Sequence, residues 1–299
     1  MSRTTKKRRG LVFGCGGSLG HAWAVCALRR FERNTGFDPR SADVVVGTSA
    51  GSVLASMVGA GIGSDELLQR LEAALDASQR IAGGTRDHLP PLPGARPLSL
   101  GLFAQGLLGR RPPLVGLTGL LPAGRATGLA VEEPVASLET VSGWVRHPKT
   151  WIVTIDVATG ERVAFGKPGA PGATIREAVA ASCAVPGWVA PVSIGGREYL
   201  DGGVVSPTSA DLLLGEKLDE VIVISPLTSR HFAWPRSLGQ AAERVLRVTM
   251  SRILDREVAA LEARGVEVTR LEPNAHDLAL MGPNFMDRRR ARAVVQTWA

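Results

Sequence analysis

Short apolar runs alternate with segments of helical period along this chain. Gly10-Leu11-Val12-Phe13 reads as a buried strand, and a glycine-rich loop over 14–20 leads from it into a helix between His21 and Arg33. The β-branched run Val44-Val45-Val46 predicts a second strand, and Ser52 to Val58 the helix that follows it. The pattern returns later, with a strand over Trp151–Asp156 and a hairpin partner, Arg162–Phe165, across the turn Thr159-Gly160-Glu161. Thr174 to Ala184 predicts a helix: Thr174 can cap it, Glu177 stands three residues on as in a capping box, and Pro186-Gly187 lies past its end. Val189 to Leu200 reads as a hairpin turning at Gly195-Gly196. Strands over Glu220–Ser225 and Val266–Leu271 flank a long amphipathic helix, Leu238 to Arg264, and an arginine-rich helix from Met286 to Gln296 ends the pattern. Strands interleaved with helices predict one α/β domain, spanning 10–299.

One region breaks this rhythm. Asp65 to Arg80 is an amphipathic helix, but the chain then carries apolar pieces interrupted by Pro and Gly, such as Leu98–Phe103 and Leu114–Leu117. From His88 to Val131 there is no acidic residue, whereas Arg96, Arg110, Arg111 and Arg125 are present. Two readings fit residues 61–149: a helical cap packed on the core, and a lid whose 88–131 portion meets a lipid surface.

Charge changes the picture only at the start of the chain. Of the net charge of +7, five positive charges fall in the first nine residues, which leaves about +2 for the remainder and predicts a disordered basic arm over 1–9. Such an arm suits contact with an anionic surface. Three cysteines, Cys15, Cys26 and Cys183, match neither a disulfide framework nor metal-ligand spacing, so no metal site is expected and a reducing, cytoplasmic setting is. The uncharged stretch after the arm holds five glycines and His21, too polar for the apolar core of a signal peptide. No membrane-spanning helix is expected.

The candidate chemistry lies at three strand ends. Gly47-Thr48-Ser49-Ala50-Gly51 sits between a strand and a helix, where a backbone doubling back so tightly leaves no room for side chains two residues either side of the serine. Ser49 is then presented over a helix N-terminus and reads as a nucleophile. The loop Gly14-Cys15-Gly16-Gly17-Ser18-Leu19-Gly20 can cradle a phosphate or donate backbone N–H groups to an oxyanion. It lacks the lysine of a phosphate-binding loop, and no ribose-binding acid ends the second strand, which argues against a nucleotide. Asp201, at a strand end and followed by Gly202 and Gly203, suits a catalytic base, and it equally suits an ordinary Asp-Gly turn.

These three stretches agree in order and spacing with one family, and the chain resembles the patatin-like phospholipases from about Leu11 to Ile224. The 14–20 loop is similar to that family's oxyanion loop, 47–51 to its nucleophile elbow, and Asp201-Gly202-Gly203 to its Asp-Gly-Gly/Ala motif; Ala181–Gly187 and the hairpin before Asp201 add support. The resemblance implies a three-layer α/β/α sandwich around a mainly parallel sheet. It implies a serine lipid acyl hydrolase with a Ser49–Asp201 dyad, no cofactor, a lipid ester or phospholipid as substrate, and no nucleic-acid partner. Gly14, Gly16, Gly17, Ser18, Gly20 and Ala50 would form the oxyanion and substrate-binding set, with Gly47, Gly51, Gly202 and Gly203 supporting the motifs. Peripheral membrane contact would run through the basic arm and 88–131. The chain departs from the family at Cys15, at Leu19 where Arg or Lys is usual, and at Ser206 where Asn is common. Two competitors remain: a Ser-His-Asp esterase using His231 or His276, and a non-catalytic nucleotide-binding or interaction protein of the same fold.

Overall fold

Apolar runs with β-branched residues form the strands of one eight-stranded sheet, and the amphipathic segments between them pack on its two faces. The computed structural model describes residues 7–82, 97–126, 135–231, 234–235 and 237–298. In chain order the elements are β1 (Arg9–Phe13), α1 (Gly17–Thr35), β2 (Val44–Thr48), α2 (Ala50–Gly59), α3 (Ser64–Ala82), α4 (Leu100–Leu107), α5 (Pro113–Thr118), β3 (Thr150–Asp156) and β4 (Arg162–Phe165). They continue with α6 (Ile175–Ser182), β5 (Val192–Ile194), β6 (Arg197–Asp201), β7 (Glu220–Ile224), α7 (Leu238–Glu262), β8 (Glu267–Leu271), α8 (Ala275–Met281) and α9 (Arg288–Trp298).

The strand order is β5-β6-β3-β2-β1-β7-β8, with β4 against β3. All pairings from β3 to β8 through β2, β1 and β7 are parallel, and those of β4, β5 and β6 are antiparallel. Alternation along the strands sorts the core. Leu11, Phe13, Val45, Ile152 and Ile222 join one buried cluster with residues of α1, α2, α3, α6 and α9. Val12, Val44, Val46, Val153, Val221 and Val223 join another with Leu254, Val258 and Leu261 of α7. The result is a three-layer sandwich around a mainly parallel sheet, as the sequence pattern and the resemblance led us to expect.

Strand registers on β3 position the site. β2 runs parallel to β3 and pairs Val45 to Thr48 with Thr150 to Val153. β6 runs the opposite way and pairs Tyr199 to Asp201 with Asp156 to Thr154. β4 pairs Ile152 through Ile155 and so takes up the other edge of β3 at both overlaps. β2 and β6 therefore approach each other head to head along one edge, and Thr48 and Asp201 stand opposite successive residues, Val153 and Thr154.

Local capping follows the sequence. Thr174 accepts from the Glu177 amide at 3.2 Å, and the Glu177 carboxylate accepts from the Thr174 amide at 2.8 Å, closing the expected capping box of α6. α8 carries a second box, Asn274 with Asp277, which a seven-residue helix hides from periodicity. Of the arm, residues 1–6 lie outside the described residues. Lys7 pairs with Glu267 at 2.8 Å, and Arg9 opens β1 with its guanidinium 2.7 Å from Glu220. The fold thus begins inside the predicted arm, because acidic residues of β7 and β8 neutralise those cations.

Within 61–149, α3 packs on α1 through Arg29 and Asp65 at 2.6 Å. α4 and α5 form a small hairpin joined at Gly106 and Gly116, where a Cβ on Gly106 would lie 2.5 Å from the Gly116 Cα. Leu102 is buried beneath it, whereas Leu100, Leu107, Leu108, Leu117, Leu120 and Leu121 are exposed. Residues 88–96 and 127–131 of the carboxylate-free stretch, Arg96 among them, lie outside the described residues. Among the described residues, no helix is long and apolar enough to cross a membrane.

Candidate active site

β1 and β2 are parallel neighbours in which Phe13, the last residue of β1, stands beside Gly47, the penultimate residue of β2, so the loop after one and the turn after the other share the carboxyl end of the sheet. Ser49 is the first residue beyond β2. Its φ of 56° and ψ of −127° put it on the left-handed side of the map, which a non-glycine residue adopts at about 1–3 kcal/mol of strain. The two glycines around it are sterically required: a Cβ on Gly47 would lie 2.5 Å from the Gly51 carbonyl oxygen, and one on Gly51 would lie 2.3 Å from that of Phe13.

One hydroxyl ties this turn to the sheet. The Ser49 amide donates to Ser182 Oγ at 2.8 Å, and Ser182 Oγ donates to the Val153 carbonyl at 2.7 Å. The sequence marks Ser182 only as part of the Ala181–Gly187 stretch at the end of a helix; its two hydrogen bonds show that it ties the turn after β2 to β3.

Asp201 arrives from the opposite direction. It is 5% exposed, its amide donates to the Ala184 carbonyl at 3.1 Å, and one carboxylate oxygen accepts from the Gly203 amide at 2.7 Å. Burial drives its pKa up to about 6, against the pull of hydrogen bonding from the Ser49 side chain and the Gly203 amide. The paired glycines admit close neighbours. A Cβ on Gly202 would lie 2.7 Å from the Val153 carbonyl oxygen, and one on Gly203 would lie 3.0 Å from the Asp201 carboxylate and 3.1 Å from Cys15 Sγ.

The glycine-rich loop divides its work. The Gly14 amide donates to Ile224 and the Cys15 amide to Pro207, both at 2.8 Å, and Leu19 donates to Phe285 at 3.0 Å. Among the described residues the amides of Gly16, Gly17 and Ser18 find no acceptor, as expected at the start of α1. Gly17, Ser18, Ser49 and Ala50 border one cavity of about 670 Å³. Gly14, Gly16 and Gly20 do not border it; they allow close packing, Gly14 on the Pro207 carbonyl and the other two on Pro226. Leu19 is fully buried in the core.

The cavity walls are apolar, with Val53 and Met57 of α2, Leu67 and Leu71 of α3, and Trp188 opposite. His21 also borders the cavity; its Nδ1 faces the Ala50 carbonyl at 3.4 Å, and burial lowers its pKa so that the ring stays neutral. Cys183 lies there too, 3.8 Å from Ser52 Oγ, its thiol pushed up to about 12 by burial and then by Asp201. His231 and His276 are exposed, and neither borders this cavity. Among the described residues no group of three or more His, Cys, Asp or Glu is placed to hold a metal.

Behind Asp201, Glu257 of α7 reaches the chain that follows it. Its carboxylate accepts from Ser206 Oγ at 2.5 Å, Thr208 Oγ1 at 2.6 Å and the Ala210 amide at 3.0 Å. Burial, and then Asp211, raise its pKa. Ser206 therefore anchors the chain after Asp201, a role that its place in the sequence did not disclose.

The comparisons with known proteins bear on this arrangement at the level of family. No curated protein matches the chain. Among solved structures, VipD from Legionella pneumophila is similar over 98% of this chain and 67% of its own, at 14% identity and a TM-score of 0.40. The ExoU–SpcU complex from the type III secretion system of Pseudomonas aeruginosa gives 17% identity and a TM-score of 0.32, over 97% of this chain and 57% of that one. The family model for patatin-like phospholipases matches residues 11–214, which include the glycine-rich loop, the elbow and the Asp-Gly-Gly turn. With more than two thirds of its length covered by that match, the chain belongs to the patatin-like phospholipase family.

Proposed function

We propose that the protein is a serine lipid acyl hydrolase that works through a Ser49–Asp201 dyad. Ser49 Oγ attacks the ester carbonyl carbon while Asp201 accepts its proton, and the resulting oxyanion is held by the free amides of Gly16, Gly17 and Ser18. Collapse of the tetrahedral intermediate breaks the ester C–O bond, and the departing alkoxide takes the proton from Asp201, leaving an acyl group on Ser49. Asp201 next takes a proton from water, whose oxygen attacks the acyl carbon. The acid leaves, and the proton returns to Ser49.

The observation that carries this reading is the meeting of a strained, glycine-flanked serine with a buried carboxylate whose pKa sits near 6. An unshifted aspartate would be a weaker base at neutral pH. The apolar cavity over Ser49 suits an acyl chain. For contact with the membrane, we assign the exposed leucines of α4 and α5, flanked by Arg110 and Arg125, to a lipid surface. Replacing Leu107, Leu108 and Leu117 with Ser should weaken binding to anionic vesicles, and so should deleting residues 1–6, which spares β1; unchanged vesicle binding in both would refute the assignment.

A fluorophosphonate probe tests the reaction. Wild-type protein should be labelled at Ser49 and hydrolyse p-nitrophenyl esters, and Ser49→Ala should do neither. Folded wild-type protein that neither labels nor hydrolyses would return the fold to the non-catalytic reading. His231→Ala and His276→Ala should each stay within about twofold of wild type; a loss of about 10³-fold in either would favour a Ser-His-Asp triad instead.

A further inference from the structure

The cavity over Ser49 has an asymmetry that an acyl chain alone does not account for. Among the described residues its charged lining is cationic: Arg70 of α3 and Arg288 of α9 border it, and no described Asp or Glu does. Arg70 shares its charge with Glu66, one turn earlier, at 2.8 Å. Arg288 has no ion-pair partner among the described residues. The nearest carboxylate in sequence, Asp287, is engaged by Arg289 at 3.0 Å and Arg290 at 3.7 Å, and Asp76 on α3 is paired with Arg292.

The position of Arg288 is fixed by what precedes and follows it. Phe285 accepts the Leu19 amide at 3.0 Å, and Phe285 and Met286 lie so close to Gly17 that a Cβ there would be 2.8 Å from the former's carbonyl oxygen and 2.7 Å from Met286 Sδ. The segment leading into α9 is thus seated on the loop whose Gly17 and Ser18 border the same cavity as Ser49. One turn along α9, Ala291 borders the same cavity, so Arg288 and Ala291 share the face that α9 turns towards it. The far end of α9 is held by Trp298, edge-on to Trp23 with ring centres 6.4 Å apart and hydrogen-bonded to Asp277 at 2.8 Å. All of α9 lies beyond the family match, which ends at residue 214.

We propose that Arg288, assisted by Arg70, holds the anionic group of an amphiphilic substrate whose acyl ester lies over Ser49, so that the C-terminal helix selects anionic single-chain lipids over neutral esters. A guanidinium matches a phosphate or carboxylate in two hydrogen bonds, and at the mouth of an apolar cavity those bonds are less diluted by water than on an open surface. The inference rests on the hydrolase reading for its kinetic arm and is independent of it for its binding arm.

Lauroyl lysophosphatidic acid and monolauroylglycerol carry the same acyl ester and differ in the phosphate. With both kept below micelle-forming concentrations, the ratio of their kcat/KM values should fall about tenfold in Arg288→Gln and by less in Arg288→Lys. Arg289→Gln makes the same change of charge one residue away, outside the cavity, and should leave the ratio within about twofold. An unchanged ratio in Arg288→Gln, or an equal fall in Arg289→Gln, overturns the proposal. The binding arm uses Ser49→Ala protein with dodecyl phosphate, dodecanoate and inorganic phosphate, followed by calorimetry. Dodecyl phosphate should bind about tenfold more weakly once Arg288→Gln is added, and equal binding overturns the proposal. Dodecanoate affected as strongly would identify the anion held as a carboxylate as well as a phosphate, within the same proposal. Inorganic phosphate bound as tightly as dodecyl phosphate would overturn the amphiphile in favour of a free-anion site. Arg288-dependent binding without hydrolysis would sink the hydrolase reading and spare this one, and hydrolysis with an unchanged ratio would do the reverse.

Discussion

The two strand ends that meet on β3 are built on opposite principles. At the end of β2 the backbone is strained and electrically plain: Ser49 has a φ of 56°, and two glycines are needed to let the chain turn. At the end of β6 the backbone is relaxed and the electrostatics are strained: Asp201 has a φ of −54° and a ψ of 124°, yet its carboxylate is held in a place that favours the proton. Ser49 is positioned by geometry, and Asp201 is tuned by desolvation. Each end tolerates a different kind of change.

The largest effect should come from removing the nucleophile. Ser49→Ala should lower turnover of any ester by about 10⁴-fold or more, measured on p-nitrophenyl esters, with a thermal midpoint close to wild type. Asp201→Asn should lower kcat by about 10³-fold. It should also raise stability, because a buried charge is removed. Asp201 binds its proton more tightly folded than unfolded, so stability linked to it is present below pH 3.8 and is lost as pH rises through about 6. Raising a carboxyl pKa from 3.8 to about 6 corresponds to about 3 kcal/mol, and the gain of Asp201→Asn over wild type in urea unfolding should approach that value at about pH 8 and vanish near about pH 3. An equal gain at both values would place the effect in packing. In wild-type protein kcat/KM should rise with pH and reach half its plateau near pH 6.

The backbone side of the comparison is tested by glycine. Gly51→Ala, whose Cβ would press on the Phe13 carbonyl, should destabilise by about 3 kcal/mol, because backbone rather than a flexible side chain must move. Ser182→Ala leaves the Ser49 amide and the Val153 carbonyl without their shared partner and should cost about 1–2 kcal/mol, with a larger loss in kcat than in KM. The smallest effect sharpens the contrast most. Ser49→Gly should be about 1 kcal/mol more stable than Ser49→Ala, since only glycine relieves the backbone, and no such gain should follow at Asp201.

What the sequence made legible was everything local. Gly47 and Gly51 announce the elbow because only glycine fits there; Thr174 and Glu177 announce a helix start because they satisfy each other; Asp201 is marked by the two glycines behind it. Pairing across the chain was hidden. Nothing in β3 states that β2 and β6 will share one of its edges, since strand partners so far apart in the chain leave no periodic trace. Ser182 and Glu257 act through such distant contacts, and only the packing of α9 brings Arg288 to the cavity, so each reads locally as an ordinary residue of an ordinary helix. Arg9 was hidden for a different reason: a charge run looks like a solvated arm until Glu220 is seen opposite it.

The short attachment of β6 has a mechanical corollary. Asp201 is carried on a ribbon that grips β3 through three residue pairs and ends in a tight Gly195-Gly196 bend, and a two-residue slip along that margin would carry the carboxylate about 7 Å from the serine. Under the proposed mechanism, proton transfer depends on the alignment of a ladder only three rungs long, and agents that loosen sheet margins should silence it well before they melt the protein.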